Sequence, residues 1–180
     1  MLLAADRSAL LIIDIQERLA PATQDHEGVI HRTGSLIAAA RSLAVPLLAS
    51  QQYPKGLGPL VPSLASQLTT NECVDKTHFS CLKESVWAGR FRQLGRGQAV
   101  VTGMEAHVCV LQTVIDLLSN RFEVFVVADA ISSRAATSHA LALRRMEAAG
   151  ARTVSTEMVI FEWLERADRP EFRPLSQLIR

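Results

Sequence analysis

Three residues of types that do covalent chemistry fall at the ends of apolar runs. Cys109 lies in Ala99-Val-Val-Thr-Gly-Met-Glu-Ala-His-Val-Cys-Val-Leu-Gln-Thr, where an apolar run meets a glycine and a helical pattern begins. A thiol near a helix start faces unpaired backbone N–H groups and the positive end of the macrodipole. It therefore ionises more readily than the ordinary value of about 8.5. The same amides suit a developing oxyanion. Asp14 closes the run Ala9-Leu-Leu-Ile-Ile-Asp, and Lys76 sits in Val74-Asp-Lys-Thr-His-Phe-Ser. Ligands of open α/β sheets bind outside the carboxyl ends of the strands, so a carboxylate after one strand and a thiol after another can face one crevice.

Those three residues need a parallel sheet to bring them together, and the periodicity supplies one. Ala9–Ile15 is a nearly continuous apolar strand, the pattern of a sheet covered on both faces. Gly28–Ala44 repeats at helical spacing, and Pro46–Ser50 reads as the second strand. The stretch 51–71 is rich in Gly, Pro, Ser and Thr and reads as one long functional loop with a short helix at Pro62–Gln67. Further helices are expected at Lys83–Leu94, His107–Ser119 and Ala135–Ala149, with strands at Gln98–Thr102, Glu123–Ala128 and Arg152–Ser155. Two short helices, Val159–Leu164 and Pro174–Ile179, close the chain. The count is five strands, or six if Cys73–Lys76 adds one. The expected architecture is a three-layer α/β/α sandwich around a mainly parallel, Rossmann-like sheet.

The chain has 180 residues, 48% of them hydrophobic and 21% charged, with formal net charge +1. This suits one domain spanning residues 1–180. No block of Lys and Arg occurs, which argues against nucleic acid or an acidic membrane surface as partner and for a small molecule. The N-terminus lacks a basic lead-in before a long apolar stretch, so neither a signal peptide nor a membrane span is expected. Cys73, Cys81 and Cys109 are odd in number and have no metal-type spacing, which reads as a reduced, cytoplasmic setting.

In order and spacing these segments resemble the isochorismatase-like cysteine hydrolases. The resemblance rests on Asp14-Ile-Gln, the Gln52-Tyr-Pro-Lys-Gly-Leu-Gly loop, Lys76 in mid-chain, Gly103-Met-Glu-Ala-His-Val-Cys-Val and Val126-Val-Ala-Asp-Ala-Ile-Ser-Ser. The loop is similar to that of the isochorismatase domain-containing branch. The resemblance implies a catalytic triad of Asp14, Lys76 and Cys109, with the thiolate attacking an amide or related acyl carbon to give a thioester. It further implies that Lys76 holds Asp14 ionised and lowers the Cys109 pKa enough to ionise it near neutrality. A cis peptide at Met104–Glu105 and an oxyanion hole from the Glu105 and Cys109 amides are also implied.

Departures from the family pattern matter equally. Nicotinamidases of this fold hold a metal through an Asp-x-His and a further His or acid after the second strand, where this chain has Gln51-Gln-Tyr-Pro-Lys-Gly. No metal and no cofactor is expected. The polar grip of true isochorismatases on their substrate is not recognisable either, so that activity is not transferred. Gln16, Leu19, Tyr53, Phe79 and Trp87 are candidate substrate contacts by their place near the motifs. His107, two positions from Cys109, points elsewhere on a regular helix, and Asp129 reads as a helix cap. The apolar segment Met158-Val-Ile-Phe-Glu-Trp-Leu suggests an even-numbered homo-oligomer, unless it docks on its own sheet. The competing functions are a weakly catalytic binding or scaffold protein and a redox-sensing thiol protein.

Overall fold

The computed structural model describes residues 1–179. Six strands form one sheet: β1 (Ser8–Ile13), β2 (Leu47–Gln52), β3 (Cys73–Lys76), β4 (Gln98–Met104), β5 (Glu123–Ser132) and β6 (Arg152–Val154). Their order is β3-β2-β1-β4-β5-β6, and every neighbouring pair is parallel. This is the doubly wound arrangement, in which the direction of winding reverses between β1 and β4 and leaves a crevice at their carboxyl ends.

Period-two alternation inside the apolar runs sorts side chains between two cores. On β1, Leu10 and Ile12 pack with α1 (His26–Ser42), α7 (Thr156–Leu164) and α8 (Phe172–Ser176). Leu11 and Ile13 pack on the opposite face with α4 (Ser85–Gln93), α5 (Leu111–Ser119) and α6 (Ala136–Ala148). Trp163 is anchored at the first core by donating from Nε1 to Ser8 Oγ at 2.9 Å. Cys73–Lys76 is the sixth strand, which resolves the choice between five and six.

Several expectations need correction. The stretch 51–71 has the short helix foreseen at Pro62 and more order besides. It holds α2 (Pro54–Leu57), α3 (Pro62–Ala65) and a 3-10 turn, and an isolated bridge from Gln16 to Leu60 ties it down. The helix foreseen from His107 begins as a π-turn over Ala106–Val110, with α5 proper starting at Leu111. Asp129 lies within β5, and its Oδ1 accepts from the Thr156 amide at 2.8 Å, so it caps α7 and not the helix that follows it. Trp163 and Leu164 are core, whereas Met158 and Phe161 of the same segment stay exposed.

One glycine sets a spacing. Gly103 near the end of β4 has φ +129°, and a Cβ there would lie 2.0 Å from the carbonyl oxygen of Ile13 on β1. Only a residue without a side chain permits that approach.

Candidate active site

Asp14 is the first residue after β1 and adopts φ 52°, a left-handed conformation that Asp tolerates better than most residues. The turn directs its side chain into the crevice, where it is fully buried. Lys76, the last residue of β3, is 2% exposed, and its Nζ lies 2.7 Å from Asp14 Oδ2. The ammonium also donates to Gln52 Oε1 at 2.6 Å and to the carbonyls of Phe79 at 3.0 Å and His78 at 3.2 Å. Its three N–H groups are thus spent on the protein, which makes it a fixed positive charge.

Cys109 is 5% exposed, and its thiol lies near enough to Asp14 and Lys76 for both charges to act on it. Asp14, Lys76 and Cys109 therefore converge on one point. Asp14 Oδ1 accepts from Ser50 Oγ at 2.7 Å, while Oδ2 has no hydroxyl or amide donor and faces the lysine charge.

The electrostatics overturn one expectation. Burial pushes the Cys109 thiol well above its ordinary value, Asp14 raises it further, and Lys76 offsets only part of the shift. The resting sulfur is therefore a thiol and not a thiolate. Burial is the largest influence and works against the charge of Lys76, but Asp14 together with the Cys81 and Cys109 sulfurs outweighs it and the pKa is raised. The result is an ion pair of Asp14 and Lys76 with a neutral thiol beside it.

The Met104–Glu105 peptide is cis. The Glu105 carbonyl accepts from the amides of Val108 at 3.1 Å and Val110 at 3.3 Å, passing over that of Cys109. The Glu105 side chain is buried and accepts from Arg134 Nε at 2.7 Å. His107 makes a hydrogen bond through Nδ1 to Ser133 Oγ at 2.9 Å, and its Nε2 lies 3.9 Å from Glu105 Oε2.

Two of the candidate substrate contacts are corrected. Gln16 is buried, and its side chain is consumed by Gln52 N at 2.8 Å, Gln52 O at 3.0 Å and Gly58 O at 2.6 Å. It braces the loop and leaves no group for a ligand. Trp87 is core, stacked on Phe91 with ring centroids 5.3 Å apart. Leu19 is half-buried against the α1-side core. Tyr53 and Phe79 are 55% and 51% exposed and border separate recesses, of about 290 and 640 Å³.

Sequence reasoning missed Ser50, Gln52 and Cys81. Ser50 and Gln52 orient Asp14 and Lys76, and the buried Cys81 thiol contacts Ser50 Oγ at 3.5 Å. A signal was present, because β2 ends in Ser50-Gln-Gln, polar residues at the carboxyl end of an otherwise apolar strand. Gln51 and Gln52 close β2. Gln51 accepts from Leu60 N at 2.6 Å and donates to Asp75 at 2.9 Å, so both amides serve the protein.

A doubly wound sheet with a carboxylate, an ammonium and a thiol at its switch point defines a recognisable class. The sequence profile of the isochorismatase domain matches residues 8–158. The chain is 35% identical to isochorismatase domain-containing protein 2 of Danio rerio, over 98% of this chain and 89% of that protein. The chain belongs to the isochorismatase family. Among solved structures, the MAR1 ribonuclease of Caenorhabditis elegans is 37% identical with a TM-score of 0.92, covering 99% of this chain and 92% of that one. YcaC of Escherichia coli, described as an octameric hydrolase of unknown specificity, is 22% identical with a TM-score of 0.89, over 98% and 95% of the two chains. At that identity it supports the fold.

Proposed function

We propose that the protein is a metal-independent cysteine hydrolase acting on a small amide or related acyl C–N substrate. The observation that carries this reading is a buried thiol beside a carboxylate that lies 2.7 Å from a lysine ammonium. As the Cys109 sulfur bonds to the acyl carbon, its proton passes to Asp14. The intermediate collapses by breaking the C–N bond, and Asp14 returns the proton to the departing nitrogen. Water then gives a proton to Asp14 and attacks the thioester, and the C–S bond breaks to restore the thiol. Lys76 keeps Asp14 anionic between these transfers. The amides of Glu105 and Cys109 are the donors for the oxyanion. A raised thiol pKa fits this scheme, because a thiol that ionises only as Asp14 accepts its proton is activated by the base beside it.

The test is a panel of small amides with ammonia detection, run with the parent protein, Cys109→Ala and Asp14→Asn. Turnover in the parent that falls by about 10³-fold or more in both variants supports the reading. Turnover surviving in Cys109→Ala overturns it, and an inactive parent moves the protein toward the scaffold or redox-thiol alternatives. Activity lost to a chelator and regained with a divalent ion would refute metal independence.

The proposal extends to setting and assembly. Cys73, Cys81 and Cys109 are all free thiols, which fits a reducing, cytoplasmic compartment. No helix among the described residues is long and apolar enough to cross a membrane. Exposed Leu2, Met158 and Phe161 frame an apolar recess that suits burial in an even-numbered homo-oligomer.

A further inference from the structure

Two exposed patches of opposite charge belong to the helices on either side of the edge strand β6. The first is the recess of about 650 Å³ framed by Leu2, Met158 and Phe161. Its charged lining is wholly acidic, from Glu157, Glu162 and Glu165, and no Lys or Arg lines it. Glu162 accepts from the Leu3 amide at 2.7 Å. Glu157 and Glu165 are exposed and form no ion pair among the described residues. Glu157, Phe161 and Glu165 recur every four residues along α7 and its cap, so an apolar ring stands between two unanswered carboxylates.

The second patch is on α6, which packs on the opposite face of the sheet. Leu141 is 53% exposed, and Arg144 and Arg145, three and four residues on, share its side of the helix. Both arginines are exposed, and neither forms an ion pair among the described residues. The carboxylate of Glu147 is engaged by β6, where it accepts from Thr153 Oγ1 at 2.6 Å. An exposed leucine thus stands beside two unanswered guanidinium groups.

From these patches we infer that α6 of one copy of the chain docks on the α7 recess of a second copy. Leu141 enters between Met158 and Phe161, while Arg144 and Arg145 meet Glu157 and Glu165, in the planar-fork geometry that suits carboxylates. Charge complementarity identifies the occupant. The chain as a whole is nearly neutral, at net charge +1, yet each patch carries unanswered charge and the two signs are opposite. Recess against recess would instead face carboxylates with carboxylates, which opposes association. The topology admits a reciprocal contact. α6 leads into β6 and α7 leads out of it on the other face of the sheet, so a two-fold axis that exchanges the faces makes the docking twice.

This inference rests on the homo-oligomer reading and names its surfaces. The test is light scattering at micromolar concentration on the parent, on Glu157→Lys/Glu165→Lys, on Arg144→Glu/Arg145→Glu and on the chain carrying all four substitutions. The parent should give an even multiple of 19.7 kDa. Each double variant should fall to one chain, or assemble only at about tenfold or higher concentration. The fourfold variant, and an equimolar mixture of the two double variants, should regain the parent mass, because opposite charges then face each other again. Circular dichroism reveals a variant that misfolds. Glu157→Gln/Glu165→Gln or Arg144→Gln/Arg145→Gln then takes its place, with the same loss expected.

An oligomeric parent whose mass is untouched by Arg144→Glu/Arg145→Glu overturns the pairing while leaving the oligomer in place. Failure of both the mixture and the fourfold variant to reassemble overturns it too. A parent with the mass of one chain overturns the pairing and the homo-oligomer reading together.

Discussion

Changing one charge beside Cys109 moves its titration in a direction that the geometry fixes. Asp14 raises the thiol pKa and Lys76 lowers it, so Asp14→Asn should shift the pH profile of Cys109 alkylation by iodoacetamide to lower pH, and Lys76→Met to higher pH. Peptide-resolved mass spectrometry separates Cys109 from Cys73 and Cys81. In the parent the rate should still climb above pH 9, and a plateau near neutrality would contradict the resting thiol. Lys76→Met also strands a buried carboxylate, at a cost of about 3–5 kcal/mol, or a Tm lowered by roughly 6–20 °C. The double variant Asp14→Asn/Lys76→Met should recover much of that loss. Because the Lys76 pKa is raised by folding, its contribution to stability is complete below the unfolded value of 10.5 and is lost as pH rises through the folded value. That Asp14, Lys76 and Cys109 would be neighbours was legible because the first two stand at strand ends and the third in the turn after β4. The protonation state of Cys109 was not, because counting neighbouring charges says nothing of burial. Gln16 and Trp87 misled for the same reason: nearness to a motif does not tell a ligand contact from a brace or a core ring.

One acidic side chain gathers the start of the segment between β3 and α4. Glu84 Oε1 accepts from the amides of Thr77 at 2.7 Å and His78 at 2.9 Å, and from the Thr77 hydroxyl at 3.1 Å. The His78 amide and then the Thr77 amide hold its carboxyl at about 2. A lowered folded value means that the anchoring is present above the ordinary 4.5 and lost as pH falls toward 2. Hydrogen exchange at Thr77 and His78 should accelerate selectively across that window, and Glu84→Gln should show fast exchange already at neutral pH. If exchange in Glu84→Gln matched the parent, the carboxylate would not be the anchor. Since Lys76 precedes this segment and Phe79 lies in it, opening it should also expose the ammonium. Elements with strong periodicity, such as β1 and α1, were readable within a few residues. The π-turn at Ala106–Val110 was not, since one extra residue in a turn leaves the apolar spacing almost unchanged. In the stretch 51–71 the sequence showed α3 but not α2, whose four residues are too few for a helical period to register.

At the scale of the molecule, the layered parallel architecture was the inference that mattered, because alternating strand and helix units admit few right-handed windings. Pairwise contacts at the crevice were out of reach, since β1, β2, β3 and β4 meet there from positions up to about ninety residues apart. The C-terminal segment divided in two, Trp163 inward and Phe161 outward, a split that composition alone does not reveal. Light scattering should give an even multiple of 19.7 kDa, and Met158→Glu/Phe161→Asp should lower that mass without unfolding the chain. A mass of one chain in the parent would refute assembly. The width of the crevice has a consequence of its own. Because Gly103 lets β4 press against the Ile13 carbonyl, it sets the spacing between the strand that precedes Asp14 and the strand that precedes Cys109. Gly103→Ala would act as a shim of one methyl group, and its effect should fall on the reach between carboxylate and sulfur before it falls on the cores. The gauge of the reaction centre would thus be set by a side chain that the sequence leaves out.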